Sequence, residues 1–423
     1  MNDLLRGVVG LAVLIAIGIL LSENRRAIRA RVVLSALALQ VAIGALVLFV
    51  RWGRIALDAA ATAVNQVIAY GNQGMQFLFG ALVSSRMHEV FGDTGFVFAF
   101  RVLPTIIFVS ALIALLYHLG VMRWIVLCLG FVLQKVIGVS KIESFSAVTT
   151  IFLGQSEMPV ALRPFASQLH GPEFFAIMSS GMAAVAGSTL AGYASLGVRM
   201  EYLLAASFMA IPGGLLFAKL ICPSREPSTI QVVQLNFEEC PSANAIDAAA
   251  AGAALGLRVA VNVGAMLIAF IGLIALLNGI VGGVMGWFGH PTLNLDTLLG
   301  DAFAPLAWLV GVPWDQAGIV GDLIGQKLML NEFVSYASFA PYLNPDAGAT
   351  GLAVLDHKTI VIVSFALCGF ANFSSIAILA GGFGAVAPGL RAEVAHYGLR
   401  VVAAGSLSNL ASATIAGALI GSG

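Results

Sequence analysis

Charged residues are scarce in this chain. Lys, Arg, Asp and Glu make up 10% of its 423 residues, whereas an ordinary soluble domain contains about 25%. Hydrophobic residues make up 59%, and the mean hydropathy is +0.96. The 21 basic and 21 acidic side chains cancel to a formal net charge of zero, so no nucleic-acid partner is expected. This composition excludes a soluble domain and predicts an all-α integral membrane protein embedded in a lipid bilayer.

Motifs for bound groups and for catalysis are also missing. The four cysteines, Cys128, Cys222, Cys240 and Cys368, form no CxxC pair and no Cys/His cluster, so we expect them to be small buried hydrophobes. The sequence contains no Ser/His/Asp arrangement, phosphate-binding loop or nucleotide-binding motif. We therefore expect neither an enzyme nor a cofactor, and any uphill work must draw on an ion gradient rather than on ATP.

Apolar runs of roughly the 20 residues that a spanning helix needs recur along the chain. The first run lacks a small-residue cleavage site, so we interpret it as an uncleaved helix. Arg25, Arg26, Arg29 and Arg31 follow it, and the positive-inside rule places their loop in the cytoplasm. An even number of spans then leaves both termini outside a bacterial inner (plasma) membrane. Eight spans are predicted, near residues 7–22, 32–50, 102–120, 174–198, 201–221, 259–287, 359–385 and 399–421.

Three segments differ from these runs. Residues 51–100 mix polar and apolar side chains and predict an amphipathic helix at the outer interface. Residues 121–139 predict an interfacial helix along the cytoplasmic face. Residues 222–250 form the one long polar loop, which divides the chain into halves.

Each half contains an apolar segment that is interrupted by a short polar string. The strings centre on Glu157, within 140–170, and on Glu332, within 304–345. An ionisable group at membrane depth costs about 2.5 to 3.5 kcal/mol on insertion scales, so two at matched places predict a binding site. A Gly- and Ser-rich helix follows each segment, and the odd helix at 259–287 makes the pattern an inverted repeat. The alternative is that small residues make these helices similar only because they allow close packing.

The first string predicts the tip of a re-entrant helical hairpin. Non-helical backbone at membrane depth is tolerated only where it lines a cavity or is buried in protein. Gln155, Ser156 and Glu157 together offer donors and acceptors that suit an uncharged heterocycle.

The second string predicts a site for neighbouring sugar hydroxyls, with Glu332 as the main acceptor. Interhelical hydrogen bonds without a ligand are the alternative role for its polar neighbours, and ion pairs to Lys141, Lys327 or Arg163 are the alternative for both carboxylates. The neighbours that we assign to this site are Asn331, Asn372 and Ser375, with Phe370 and Phe373 as an apolar wall.

A coupling cation requires oxygen ligands, and a broken helix supplies them as free backbone carbonyls. Thr149 and Thr150, just before the first tip, and the stretch 184–188 are the candidates. The composition leaves both sodium and the proton open.

At these same residues the chain resembles the concentrative nucleoside transporters, and we identify it as a bacterial member of that family. The matching motifs occur in the family's order within residues 140–423. They are Gly154-Gln155-Ser156-Glu157, Ala186-Gly187-Ser188, Asn244-Ala245-Ile246-Asp247-Ala248-Ala249-Ala250-Ala251-Gly252, Leu330-Asn331-Glu332-Phe333 and Gly369-Phe370-Ala371-Asn372-Phe373-Ser374-Ser375.

The resemblance implies an elevator-type symporter that forms a homotrimer and imports nucleosides. Residues 1–120 would be N-terminal scaffold helices with the outer amphipathic helix, and 223–300 the polar loop with a long central scaffold helix. Residues 121–222, an interfacial helix and the first hairpin repeat, and 301–423, the second hairpin repeat, would form the transport domain.

The resemblance also implies roles for individual residues. The nucleobase would lie near Gln155, Ser156, Glu157 and Thr189. The ribose would bind Glu332, Asn372 and Ser375, beside an aromatic wall formed by Phe370.

The family's sodium site would fall on the carbonyls of Thr150, Leu153, Ala184 and Val185. The sequence departs from the sodium-dependent pattern here, because Ala184 replaces a coordinating hydroxyl and Thr150 replaces an Asn. Sodium and proton coupling both stay open. The hydroxyls of Ser156 and Thr189 would face the base and favour pyrimidine nucleosides such as uridine.

Three other functions stay open at this stage. An elevator transporter for another solute, such as a carboxylate, is disfavoured because two acidic residues at the site would repel an anion. An intramembrane enzyme using Glu157 and Glu332 as an acid/base pair lacks a nucleophile or metal motif. A channel would not accumulate its solute against a gradient.

Overall fold

The computed structural model describes residues 3–84, 87, 97–166, 168–224, 228, 230, 242–288, 294–344 and 353–421. These residues form helices joined by short connections, and none of them lies in a β-strand. The predicted all-α fold class is confirmed. Cys240 and much of the predicted polar loop lie outside the described residues.

The longer helices are numbered here in chain order. They are α1 (Asp3–Leu20), α2 (Ala30–Leu48), α3 (Arg51–Phe79), α4 (Leu103–His118), α5 (Val121–Ile137), α6 (Lys141–Thr149), α7 (Gly171–Ala183), α8 (Gly187–Ser195), α9 (Met200–Ile221), α10 (Ala245–Trp287), α11 (Leu295–Leu309), α12 (Trp314–Met329), α13 (Glu332–Phe339), α14 (His357–Leu367), α15 (Phe373–Val386) and α16 (Pro388–Ile420).

Seven helical segments of the described chain are long and apolar enough to cross a membrane, and they coincide with seven of the eight predicted spans. The eighth prediction, a single span over 359–385, is wrong in one respect: the segment consists of two shorter apolar helices, α14 and α15, separated by residues 368–372. The Asn372 side chain accepts a hydrogen bond from the Ser375 amide, 2.8 Å away, and so caps a new helix. Average hydropathy does not reveal such a break.

The central helix also begins earlier than predicted. Helix α10 starts at Ala245 rather than near residue 259, because the Asn244 side chain caps it by accepting from the amides of Ile246 and Asp247 at 3.0 Å. The end of the predicted polar loop therefore belongs to a helix of 43 residues. Helices α3 and α5 occupy the predicted amphipathic and interfacial segments.

The order of elements repeats in the two halves. In the first half, α6 and a short helix, Met158–Ala161, lie on either side of residues 150–157; α7 and α8 then follow, interrupted at 184–186, and α9 comes next. In the second half, α12 and α13 flank Leu330 and Asn331; α14, α15 and α16 follow in the same order. The chain reverses at the second tip, since the Ser335 hydroxyl donates to the Leu323 carbonyl at 2.7 Å.

The centre of the protein is built on α7 with α8, whose shared apolar window is 94% buried, and on α9 and α16, at 83% each. Helix α10 has only 11% of its window buried and runs along the outside. It packs closely on α4 because Gly252 and Gly256 lack side chains: a Cβ on Gly252 would lie 2.5 Å from the Ala114 Cβ. The inner side of α10 faces the second break, because Val259 and Val263 line the same cavity as Phe370 and Asn372.

Candidate functional site

A cavity of about 180 Å³ lies where the two tips, α8, the second helix break and α10 meet. Seven of the eight predicted substrate-binding residues line it, and Glu157 is the exception. The lining residues are Gln155, Ser156, Thr189, Val259, Asn262, Val263, Met266, Asn331, Glu332, Phe333, Phe370, Asn372, Ser374, Ser375 and Ile378.

Glu332 is the one acidic residue among those that line this cavity. It is 4% exposed, and its carboxylate accepts hydrogen bonds from the Tyr193 hydroxyl at 3.2 Å and from the Asn372 amide at 3.0 Å. It also begins α13, where the partial positive charge of the helix N-terminus stabilises a carboxylate. No ion pair to Glu332 occurs among the described residues. The two donors and the helix end therefore hold the group in place without a direct ion pair.

A chain of hydrogen bonds connects the first tip to the second break. The Gln155 amide donates to the Ser375 hydroxyl at 2.7 Å, and that hydroxyl donates to the Phe370 carbonyl at 2.6 Å. Gln155 is 3% exposed, and its carbonyl oxygen accepts no hydrogen bond in the described structure. A buried unsatisfied acceptor is costly, so Gln155 presents an acceptor that a ligand can satisfy.

Each tip therefore contacts the broken helix of the other half. Gln155 of the first tip reaches Ser375 of α15, and Glu332 of the second tip reaches Tyr193 of α8. Asn372 has two functions, because its side-chain oxygen caps α15 while its amide holds Glu332. The same residues thus form interhelical hydrogen bonds and line the cavity, the two properties that we considered as alternatives.

The remaining lining gives the cavity an apolar side. Phe370 faces the first tip, since a Cβ on Gly154 would lie 3.4 Å from its ring. Val259, Val263 and Met266 of α10 line the cavity as well. Thr189 donates its hydroxyl proton to the Ala186 carbonyl at 2.7 Å, which leaves the oxygen as an acceptor. A flat ring with a polar edge matches such a lining.

Glu157 lies apart from this group. It precedes the short helix Met158–Ala161, and it interacts electrostatically with Tyr117 of α4. It has no ion pair among the described residues. The sequence thus placed two carboxylates in matched positions, but the structure brings only Glu332 to the cavity wall.

The four residues of the predicted cation site lie on the first tip and the first break. Thr150 follows α6, Ala184 follows α7, and a Cβ on Gly154 would lie 2.9 Å from the Ala186 Cβ, so the two segments are in contact. The carbonyls of Thr150, Leu153 and Val185 accept no hydrogen bond within the described part of the chain. The Ala184 carbonyl accepts from the Phe370 amide at 3.3 Å. Free carbonyls of this kind are suitable ligands for a monovalent cation.

Sequence reasoning missed Tyr193 and the wall formed by α10. Tyr193 lies one helical turn after Thr189, on the same face of α8, and this spacing could have indicated it. Asn262 is one of two asparagines within the apolar run 259–287, and a polar residue at membrane depth is a recognised sign of function.

Comparison with known proteins decides the family. The model "Na+ dependent nucleoside transporter N-terminus" matches residues 9–82, "Nucleoside recognition" matches 99–200, and "Na+ dependent nucleoside transporter C-terminus" matches 202–417. The chain belongs to the concentrative nucleoside transporter family. The motif-based identification is confirmed, and the protein is a membrane transporter rather than an enzyme.

Two bacterial relatives match over almost their full length. The chain is 52% identical to the putative nucleoside permease NupX of Escherichia coli over 419 residues, covering 99% of both chains. It is 47% identical to the nucleoside permease NupC of Helicobacter pylori over 414 residues, covering 98% of this chain and 97% of that one.

Solved transporter structures have the same fold. The transporter CNTnw in an inward-facing substrate-bound state superposes with a TM-score of 0.94 at 53% identity, covering 99% of this chain and 98% of that one. A variant of CNTnw in an outward-facing state has the same score, identity and coverage. The similarity therefore establishes the fold of this family member.

Proposed function

We propose that this transporter is an ion-coupled symporter that imports nucleosides, preferentially pyrimidine nucleosides such as uridine, across the inner membrane. The observation that carries the proposal is the cavity between the two tips. It combines a carboxylate held by two donors, a buried amide oxygen without a donor, and an aromatic wall. These three features correspond to the sugar hydroxyls, the polar edge and the flat face of a nucleoside.

In this proposal the second tip recognises the sugar. Glu332 accepts hydrogen bonds from ribose hydroxyls, while Asn372 and Ser375 complete the polar surface around it. The donors on Glu332 support this role, since they orient a charged acceptor toward a ligand at no further cost when the ligand binds. A site built around a substrate hydroxyl discriminates strongly against an analogue that lacks it.

The first tip recognises the base. Gln155 supplies the acceptor that is unsatisfied in the described structure, and Phe370 supports the ring. Ser156 and Thr189 line the same side and add hydroxyl groups that suit the carbonyl and ring N–H edge of a pyrimidine. Glu157 is near the base side of the site and tunes it from outside the cavity wall.

The coupling ion, sodium or a proton, binds next to this site. For sodium, the carbonyls of Thr150, Leu153, Ala184 and Val185 are the ligands. Because the Phe370 amide donates to the Ala184 carbonyl, the ion and the base share one structural unit. Each ligand then raises the affinity of the other by the same factor, and the coupling free energy is typically about 1 to 3 kcal/mol. One sodium ion moving down about 100 mV supplies about 2.3 kcal/mol, enough for roughly fortyfold accumulation.

Alternating access occurs by an elevator movement, in which a transport domain moves past a scaffold. The transport domain contains the interfacial helix and the two re-entrant hairpin repeats, in residues 121–222 and 301–423. The scaffold contains residues 1–120 and 223–300. Both termini of the chain lie outside the cell. Helix α10 exposes a row of large apolar side chains, for example Ile268 and Leu276, at 81% and 59%. We assign this surface to lipid and to the other subunits of a homotrimer.

The test is uptake of radiolabelled uridine into proteoliposomes, with a sodium gradient and a proton gradient imposed separately and then dissipated. Competition by unlabelled cytidine, thymidine, adenosine and guanosine measures the base preference. Protein-free liposomes are the background control, and chromatography of the accumulated label shows whether uridine is unchanged.

Accumulation above equilibrium with one gradient, and its loss on dissipation, is the expected result. Sodium-driven uptake would show that the four backbone carbonyls suffice to bind sodium without a hydroxyl at Ala184. Proton-driven uptake would point to Glu157 or Glu332 as the proton carrier. Equilibration without accumulation would indicate a channel, chemically altered label an enzyme, and no nucleoside uptake with either gradient would refute the proposed substrate.

A further inference from the structure

Lys327 is a buried cation that the proposed function does not yet use. It lies in α12, three residues before the second tip, and is 4% exposed. Its ammonium group donates to the Ala366 carbonyl and to the Asn409 side-chain oxygen, each at 2.7 Å. No carboxylate of the described chain lies within ion-pair distance of it. A buried charge persists only where such partners compensate its desolvation.

Asn409 of α16 extends this contact to both halves of the protein. It is 2% exposed, and its amide group donates to the Ala183 carbonyl at 2.7 Å and to the Cys368 carbonyl at 2.9 Å. Ala183 is the last residue of α7, and Cys368 directly follows α14. One side chain therefore connects the ends of the two helices that precede the breaks.

These helix ends carry partial negative charge. The last carbonyls of an α-helix have no intrahelical partner, and a cation near them is stabilised by the aligned peptide dipoles. At the end of α7 the carbonyls of Ala184 and Val185 belong to the proposed site for an exchangeable cation. At the matching end of α14, Lys327 donates to the Ala366 carbonyl. Glu332, on the same tip, attracts the ammonium electrostatically.

We propose that Lys327 is a tethered, permanent cation of the second half, at the place that corresponds to the exchangeable cation of the first half. Lys327 and Asn409 are positioning residues: they hold the break 368–372, which carries the nucleoside-binding side chains, in register with the break 184–186. The inference rests on the proposed function for the exchangeable cation. It explains why one half needs a coupling ion while the other half, with its own ammonium group, does not.

The first test removes the ammonium and offers it back as a small molecule. Lys327→Ala deletes three methylene groups and the amine, a volume that propylammonium matches. The full-length transporter is purified with and without propylammonium, and uridine affinity is measured by titration calorimetry. Loss of hydrogen bonds from a charged donor predicts about tenfold to a hundredfold weaker binding. Propylammonium should restore most of it, whereas tetramethylammonium at equal ionic strength should not.

Lys135→Met is the control, because Lys135 is exposed on α5 and its ammonium lies 4.7 Å from the centre of the Phe131 ring, with no ion pair among the described residues. It should bind uridine like the wild type. Unchanged affinity in Lys327→Ala, or a loss that propylammonium does not restore, would overturn the assignment.

Asn409→Asp is a second variant that keeps an acceptor for Lys327 but cannot donate to the two helix-end carbonyls. The readout is the ratio of uridine affinities with and without the driving cation. A purely structural defect lowers both affinities by one factor and keeps the ratio, which would refute the positioning role. We expect the ratio to fall from the roughly fivefold to 150-fold typical of coupled sites to within about twofold of one.

The wild type separates the two proposals. If it shows no cation-dependent uridine binding, the proposed function fails and this inference fails with it. If it shows such binding but the variants behave like the wild type, only the inference about Lys327 and Asn409 is wrong.

Discussion

The substitution Glu332→Gln removes one negative charge from the cavity while it keeps the length and shape of the side chain. In the wild type the carboxylate accepts from Tyr193 and Asn372. A glutamine has one acceptor oxygen for these two donors, and its own amide hydrogens face the other donor. One buried donor therefore loses its acceptor, which costs about 1 to 3 kcal/mol of folding free energy.

The expected effect on binding is larger and specific to the sugar. Hydrogen bonds to a charged group contribute about 1.5 to 3 kcal/mol each, so the loss of one such bond to a ribose hydroxyl weakens uridine binding about tenfold to 150-fold. The assay uses two analogues, 2′-deoxyuridine and 3′-deoxyuridine. For each of them, a cycle of four affinities compares the wild type and Glu332→Gln, each with uridine and with that analogue. If Glu332 binds the missing hydroxyl, the variant discriminates much less between uridine and that analogue.

Glu201→Gln is the control, since Glu201 forms an ion pair with Arg199 at 3.4 Å and does not line the cavity. It should bind uridine and both deoxy analogues with the affinities of the wild type. The reasoning is refuted if Glu332→Gln weakens uridine and both deoxy analogues by the same factor, because the carboxylate would then act on the fold of the site rather than on the ribose.

Three further substitutions test other parts of the site. Gln155→Ala removes the free acceptor and should change the ranking of competing nucleosides. The affinity for the most affected nucleoside should fall about tenfold, while ribose selectivity persists. An unchanged ranking would reassign Gln155 to the structure of the tip. Ala184→Ser adds a hydroxyl beside the carbonyls of the predicted cation site and should lower the sodium concentration for half-maximal uridine uptake about fivefold. Ala176→Ser, a buried change in the middle of α7, should leave that concentration unchanged. Equal sodium dependence of the two variants would contradict the carbonyl site. Gly369→Ala places a Cβ against the Asn409 side-chain oxygen, closer than real Cβ contacts, and should cost about 1 to 3 kcal/mol, seen as a lower Tm. Gly381→Ala, whose Cβ would meet nothing within 4 Å, should keep the Tm, and equal Tm values for the two variants would show that the break is not tightly packed.

Several residues of the site could be predicted because they contradict their surroundings. Glu332 and Gln155 are polar residues in apolar segments, and the cost of placing them there makes a function the simplest explanation. Tyr193 could not be singled out in this way, since a tyrosine in an apolar helix is an ordinary core residue. Lys327 was considered only as an ion-pair partner for a carboxylate, whereas it binds a helix-end carbonyl and an amide.

Hydropathy and residue type determined what depends on local composition: an all-helical membrane protein, the position of seven spans, the two interrupted segments and their polar residues. The tertiary structure decided what depends on the direction of side chains from distant parts of the chain. It brought Gln155 to Ser375, 220 residues away, and Glu332 to Tyr193, 139 residues away, and it left Glu157 out of the cavity lining. A sequence pattern indicates that a buried charge needs compensation, but only the packed helices determine which donors provide it.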